Sequence, residues 1–100
     1  MKLENGYKTF TTFWDDFSEA DLFGPYAVES NFNRIFNERK HDYKYLTELT
    51  LILNLKMQKW YDEENEEMYD IYNICWSKCD KYCCDNLRGK ELKYFLSVVD

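Results

Sequence analysis

Residues 42–61, DYKYLTELTLILNLKMQKWY, can be read two ways, and the choice sets the fold class. Thr50 and Ile52 are β-branched, so 49–55 taken alone suits a strand. The longer window suits a helix. On a wheel of about 100° per residue, Leu46, Leu49, Leu53, Met57 and Trp60 fall within one narrow arc. The period persists well beyond a strand's length, which favours a helix over 43–61. Asp42 precedes it as a plausible N-cap. Leu51 and Leu55 point to the far side, with Ile52 between. A helix apolar on two faces is central to its bundle or has a second partner. Leu51 and Leu55 are therefore a candidate patch for a partner or a homodimer.

Outward from this helix the cues stay helical. Phe10, Phe13, Trp14 and Phe17 recur at three-to-four spacing and define one face of a first helix. Thr12 with Asp15, and Ser18 with Asp21, resemble capping-box starts, with Asp in place of Glu or Gln. Gly24-Pro25 is a break: Gly can end one helix, and Pro suits the first turn of the next. That second helix is predicted over 25–39, with Val28, Phe32, Ile35 and Phe36 inward. A fourth is predicted over 63–85. A fifth follows the break near Gly89, over 90–98, with Leu92, Phe95, Leu96 and Val99 as its apolar face. The reading is an all-α fold, a compact bundle of four to five helices forming one domain, 1–100.

The bulk numbers agree. One hundred residues is a single-domain length, and 45% hydrophobic with 19% aromatic residues is too rich for a disordered chain. Three Gly and one Pro argue against an all-β chain built on tight turns. The start, MKLENGYKTF, lacks the apolar stretch of a signal peptide, and the longest apolar run, LTLILNL, is far too short to span a bilayer. A cytoplasmic location is expected, where thiols stay reduced.

The charge is unevenly placed. Nineteen Asp and Glu oppose 13 Lys and Arg. Direct binding to nucleic acid or to an anionic membrane relies on basic patches and is disfavoured. The interval 9–33 contains Asp15, Asp16, Glu19, Asp21 and Glu29 and no Lys or Arg. The interval from Trp60 to Ser77 contains Asp62, Glu63, Glu64, Glu66, Glu67 and Asp70, again with no base. Part of the second cluster suits a helix N-terminus, where the macrodipole favours acids, and a solvated face accounts for much of the rest. The functional reading is an anionic surface offered to a basic groove. At about 5.4 Å per turn, Glu63, Glu66, Glu67 and Asp70 on one helix would form a row of charges. The basic stretch NERKHDYK, 37–44, reads as a solvated interhelix turn.

All four cysteines lie in NICWSKCDKYCCDN, 73–86. On the wheel Cys75, Cys79 and Cys83 join Met68, Tyr72, Trp76 and Tyr82 on the buried stripe, whereas Cys84 lies nearer the solvent. The spacing matches no paired C-x2-C zinc pattern, and His41 is the only other soft ligand. Cysteines one turn apart are poorly aimed for a disulfide. A thiol nucleophile would need a nearby base or pKa-lowering charge. Small apolar core residues are the preferred reading, with no metal, no cofactor and no catalytic residue expected.

Three blocks, TFWDDFSEAD, DYKYLTELTLILNLK and DNLRGKELKYFLSVVD, together resemble a family of uncharacterised small acidic proteins encoded on plasmids, phages and conjugative elements of Gram-positive bacteria. The resemblance spans nearly the whole chain and transfers no site residue. It implies a bacterial host-cell context in which small proteins disarm restriction or CRISPR systems, several of them by imitating DNA. The expectation is a non-enzymatic binding protein, an anti-CRISPR inhibitor that blocks the nucleic-acid channel of an effector nuclease. Its partner-binding residues would be Asp15, Asp16, Glu19 and Asp21, with Asp62, Glu63, Glu66, Glu67 and Asp70. The alternative is an adaptor of mobile-element maintenance acting through helix–helix contacts at Leu51 and Leu55. A Cys-based metal or redox protein is a third reading.

Overall fold

Gly24 and Pro25 create the first reversal of the chain. In a computed structural model, which describes residues 6–99 and the side chains of 13–99, Gly24 has φ 103° and ψ −175°, a region open essentially to glycine. It separates α1 (Gly6–Asp21) from α2 (Pro25–Arg39). Pro25 fills the first helical position, where its missing N–H is no loss. Three further helices follow: α3 (Tyr43–Asp62), α4 (Glu66–Asn86) and α5 (Lys90–Val99). The architecture is an all-α bundle of five helices.

Residues 43–61 are helical throughout, so the strand alternative for 49–55 is excluded. Two of its threonines explain why β-branching did not prevail. Thr47 and Thr50 donate their hydroxyls back to the carbonyls of Tyr43 and Leu46, at 2.7 and 2.8 Å, which satisfies the buried hydroxyls inside the helix. Asp42 caps the start by accepting from the Lys44 N–H at 3.0 Å. Every residue from Leu46 to Leu53 is buried. A helix buried on all sides must be central, and α3 packs against each of the other four. Its most extensive partner is the antiparallel α4, reached through a three-residue corner.

The core joins Phe13 and Phe17 of α1, Val28, Phe32, Ile35 and Phe36 of α2, the leucine arc of α3, and Met68, Tyr72, Cys75, Cys79 and Cys83 of α4. Phe95 closes it from α5. Met57 and Trp60 are half-buried against this core. The side chain of Phe10 lies outside the described residues.

Several sequence expectations need correction. Thr12 and Ser18 start no helix, because α1 runs from Gly6 through both of them. The fourth helix begins at Glu66, not at 63: Asn65 is its N-cap, accepting from the Met68 N–H at 3.1 Å. In α5, Val98 is buried and Leu96 is outward, so the inner face is rotated from the expected one. No described helix is long and apolar enough to cross a membrane.

Candidate functional site

The α3–α4 corner gathers the second acidic stretch. Backbone bonds from Glu64 N–H to Tyr61 O, at 3.1 Å, and from Asn65 N–H to Trp60 O, at 3.0 Å, form a Schellman closure of α3. The left-handed position in such a closure usually holds Gly. Here it holds Glu64, at φ 57°. Glu63 is the C-cap of α3, so the expected single helical row from Glu63 to Asp70 is broken at its first member. Asp62, Glu63, Glu64, Glu66, Glu67 and Asp70 are all exposed. Among the described residues none of them is in an ion pair. Glu66 and Glu67 occupy the first turn of α4, where the helix dipole favours them by about 0.3–1 kcal/mol each.

The same corner encloses an open cleft of about 600 Å³. Its aromatic walls are Trp60, Tyr61 and Tyr69. Asp62, Glu64, Glu66 and Asp70 supply carboxylates around them. The rings of Tyr61 and Tyr69 lie 5.9 Å apart and tilt by 56°. Lys59 Nζ rests 4.4 Å from the centre of the Trp60 ring, although Lys59 does not itself line the cleft. The Trp60 indole N–H is shielded from solvent and has no acceptor among the described residues. The charge pattern pointed to this corner. The cleft itself was missed, because Tyr61 and Tyr69 meet only once the corner has formed, and only the α3 end signal at 63–65 would have brought them together.

The first acidic stretch is less uniform than its sequence. Asp15 and Glu19 are exposed and Asp16 is partly so. Arg34 of α2 reaches to 3.6 Å from Asp16, supplying a base from outside the interval. Asp21 is not a surface acid at all: its side chain is 6% exposed. One carboxylate oxygen lies 3.2 Å from Lys56 Nζ, and the other accepts the Tyr72 hydroxyl at 2.5 Å. Lys56 Nζ also donates to Ser18 Oγ at 2.6 Å and lies 4.2 Å from the centre of the Trp14 ring. Burial pulls the Lys56 ammonium below its usual pKa, with Asp21 opposing the shift. The Ser18–Lys56 contact is no nucleophile–base pair, because the Asp21 carboxylate holds the proton on a lysine that is sealed from substrate.

Leu51 is buried, so it offers no contact surface; Leu55 is half-buried. The most exposed large apolar side chains among the described residues lie elsewhere, at the α1–α2 reversal, where Leu22, Phe23 and Tyr26 are all largely in solvent; Tyr61, Ile74 and Leu96 are exposed singly on other helices. The aromatic and aliphatic residues flanking Gly24-Pro25 were the available signal for this patch.

Cys75, Cys79 and Cys83 are buried and Cys84 is exposed; none is in a disulfide. The Thr50 hydroxyl gives its only proton to Leu46 O. Its 3.1 Å contact with Cys79 Sγ is therefore a hydrogen bond donated by the thiol. Burial pushes the Cys75 thiol up to about 12. A hydrogen bond with Cys79, then burial, pushes the Cys83 thiol up further still. Such thiols are packing groups joining α3 to α4, not nucleophiles. Among the described residues no group of three or more His, Cys, Asp or Glu is placed to hold a metal ion.

Comparison of the chain with protein-family models, with curated proteins and with solved structures finds no match to any of them.

Proposed function

We propose that this chain is a small binding protein that presents an acidic corner to the basic groove of a partner. The observation that carries this reading is the α3–α4 corner: six exposed carboxylates, none in an ion pair among the described residues, held on a capped reversal. Like charges held this close cost stability unless something uses them. A groove built to hold nucleic-acid phosphates has the complementary potential. Together with the resemblance to mobile-element proteins, this favours inhibition of a nucleic-acid enzyme of host defence, with a CRISPR effector nuclease as the leading partner. Asp15, Asp16 and Glu19 form a second acidic patch. Asp21 is not part of either.

The test is DNA cleavage by a panel of effector nucleases with and without the protein. Charge reversal at Glu63, Glu66, Glu67 and Asp70 should abolish inhibition and leave the helical circular dichroism unchanged. Undiminished cleavage across the panel, or inhibition by the reversed variant, overturns the reading.

A second reading, assembly through apolar contacts, is favoured by the exposed Leu22, Phe23 and Tyr26. Its occupant would be a second copy of the chain. Light scattering distinguishes the two: a monomer at all accessible concentrations ends this alternative.

A further inference from the structure

The cleft at the α3–α4 corner has a composition that neither an acidic surface nor a core needs. An acidic face requires no aromatic walls, and a core requires no carboxylates. Rings beside carboxylates in a concave site are the chemistry that recognises an organic cation: the ring quadrupole attracts the charge, and the carboxylate pairs with it. Lys59 already rests on the Trp60 ring, so this indole accepts a cation on its face.

We propose that this cleft binds the guanidinium of an arginine side chain presented by a peptide segment of the partner. The inference rests on the acidic-corner reading and specifies its ligand. Two features select arginine over lysine. A planar guanidinium stacks on a tyrosine ring, and Tyr61 and Tyr69 offer two rings at an angle, 5.9 Å apart. It also carries five donors in a fork, and Glu66 and Asp70 supply acceptors on the same cleft. Trp60 also lines the cleft, so its indole N–H reports on occupancy.

The probes are three capped tripeptides, Ac-Gly-Arg-Gly-NH2, its lysine counterpart and its neutral citrulline counterpart. Each is titrated into the full chain while the indole N–H resonance of Trp60 is followed, with Trp60→Phe used to assign it. The arginine peptide should give a saturable shift, the lysine peptide a several-fold weaker one, and the citrulline peptide none. Tyr69→Ala should weaken the arginine peptide about 2–5-fold, the size of an exposed cation–π contact. Tyr69→Phe keeps the ring and should restore most of it, which separates ring contact from misfolding. Equal responses to arginine and citrulline, equal affinity for lysine, or no saturable shift overturn the proposal.

Octalysine binding, followed by calorimetry, separates this failure from failure of the broader reading. If octalysine binds and the Glu63, Glu66, Glu67 and Asp70 reversal abolishes it, while the arginine peptide leaves Trp60 unmoved, the arginine site falls and the acidic surface stands. If octalysine also fails to bind, both fall.

Discussion

Lys56 Nζ lies 3.2 Å from the Asp21 carboxylate, with their side chains 1% and 6% exposed. The pair ties the centre of the bundle to the end of α1, and the Tyr72 hydroxyl adds α4 to the same carboxylate. Removing one member of a buried pair leaves the other charged and uncompensated, at a cost of about 3–5 kcal/mol. Asp21→Asn should therefore lower the unfolding free energy by roughly that amount in urea titration. Adding Lys56→Met should recover a large part of the loss, because the stranded ammonium is gone and Met follows the same path. A cost below about 1 kcal/mol for Asp21→Asn would show that the pair does not hold α1 in place.

Alkaline pH tests the buried acids of α4. In the folded state Cys75 is raised to about 12, and Cys83 and Tyr72 are also raised. For Tyr72 the causes are burial and then its hydrogen bond to Asp21. Each group keeps its proton when folded and releases it when unfolded, so stability falls as pH rises past the unfolded value. That begins near pH 9 for the thiols and near pH 10 for the tyrosine. Lys56, lowered by burial, acts in the opposite sense and adds stability until about pH 10.5. At about 1.4 kcal/mol per pH unit per group, the two thiols lower stability by up to about 2.7 kcal/mol per unit above pH 9, and Lys56 offsets part of that loss. Above pH 10.5 the thiols and Tyr72 act together, and the loss steepens to about 4 kcal/mol per unit. Urea midpoints across pH 8–11 should show this bend. Tyr72→Phe should flatten its upper part; a variant profile parallel to the wild type there would remove Tyr72 from the account.

Much of this was legible in the sequence wherever a signal is local. Val28, Phe32, Ile35 and Phe36 follow the helical period, and all four are buried. Gly24-Pro25 and Asp42 mark real boundaries. The cysteine stripe was legible for the same reason: Cys75, Cys79 and Cys83 share a wheel face with Tyr72, and Cys84 does not. What was hidden depends on partners distant in sequence. Asp21 looked like one more surface acid, because Lys56 lies 35 residues away. The start of α4 was misplaced because Asp62, Glu63 and Glu64 look like N-terminal acids, while the closure of α3 lacks the glycine that would have announced it. Leu51 looked like a spare apolar face until α5 packed against α3.

Two positive-φ positions make opposite predictions. Gly24 has no neighbour that an added Cβ would touch, so Gly24→Ala tests the backbone alone. The strain at its φ of 103° should cost about 1–3 kcal/mol. Glu64 carries a side chain where glycine is the usual occupant, at φ 57°. Relieving the left-handed strain of an L-residue outweighs the added freedom of the unfolded chain, so Glu64→Gly should stabilise by about 0.5–1 kcal/mol. Thermal and urea unfolding of both variants check the signs. If Glu64→Gly destabilises, the glutamate side chain is holding the corner in addition to lining its cleft.

Thiol chemistry separates Cys84 from the other three. Cys84 is exposed near the end of α4, whereas Cys75, Cys79 and Cys83 are buried in the core. A thiol reagent needs access and a thiolate: burial denies access to Cys75, Cys79 and Cys83, and the raised pKa values of Cys75 and Cys83 also deny the thiolate. At pH 8 one equivalent of an aromatic disulfide reagent should therefore react quickly with the native protein, and all four thiols should react in urea. Cys84→Ser should remove the fast phase and change stability by less than about 0.5 kcal/mol, as exposed substitutions usually do. The remaining thiols then report the opening of α4 from α3, because each must leave the stripe to react. Under conditions where chemistry is slow, their rates should fall with added stability and rise in Asp21→Asn, in step with the urea measurements. A second fast thiol in the native protein would mean that the C-terminal turns of α4, around Cys83, open without the rest of the bundle.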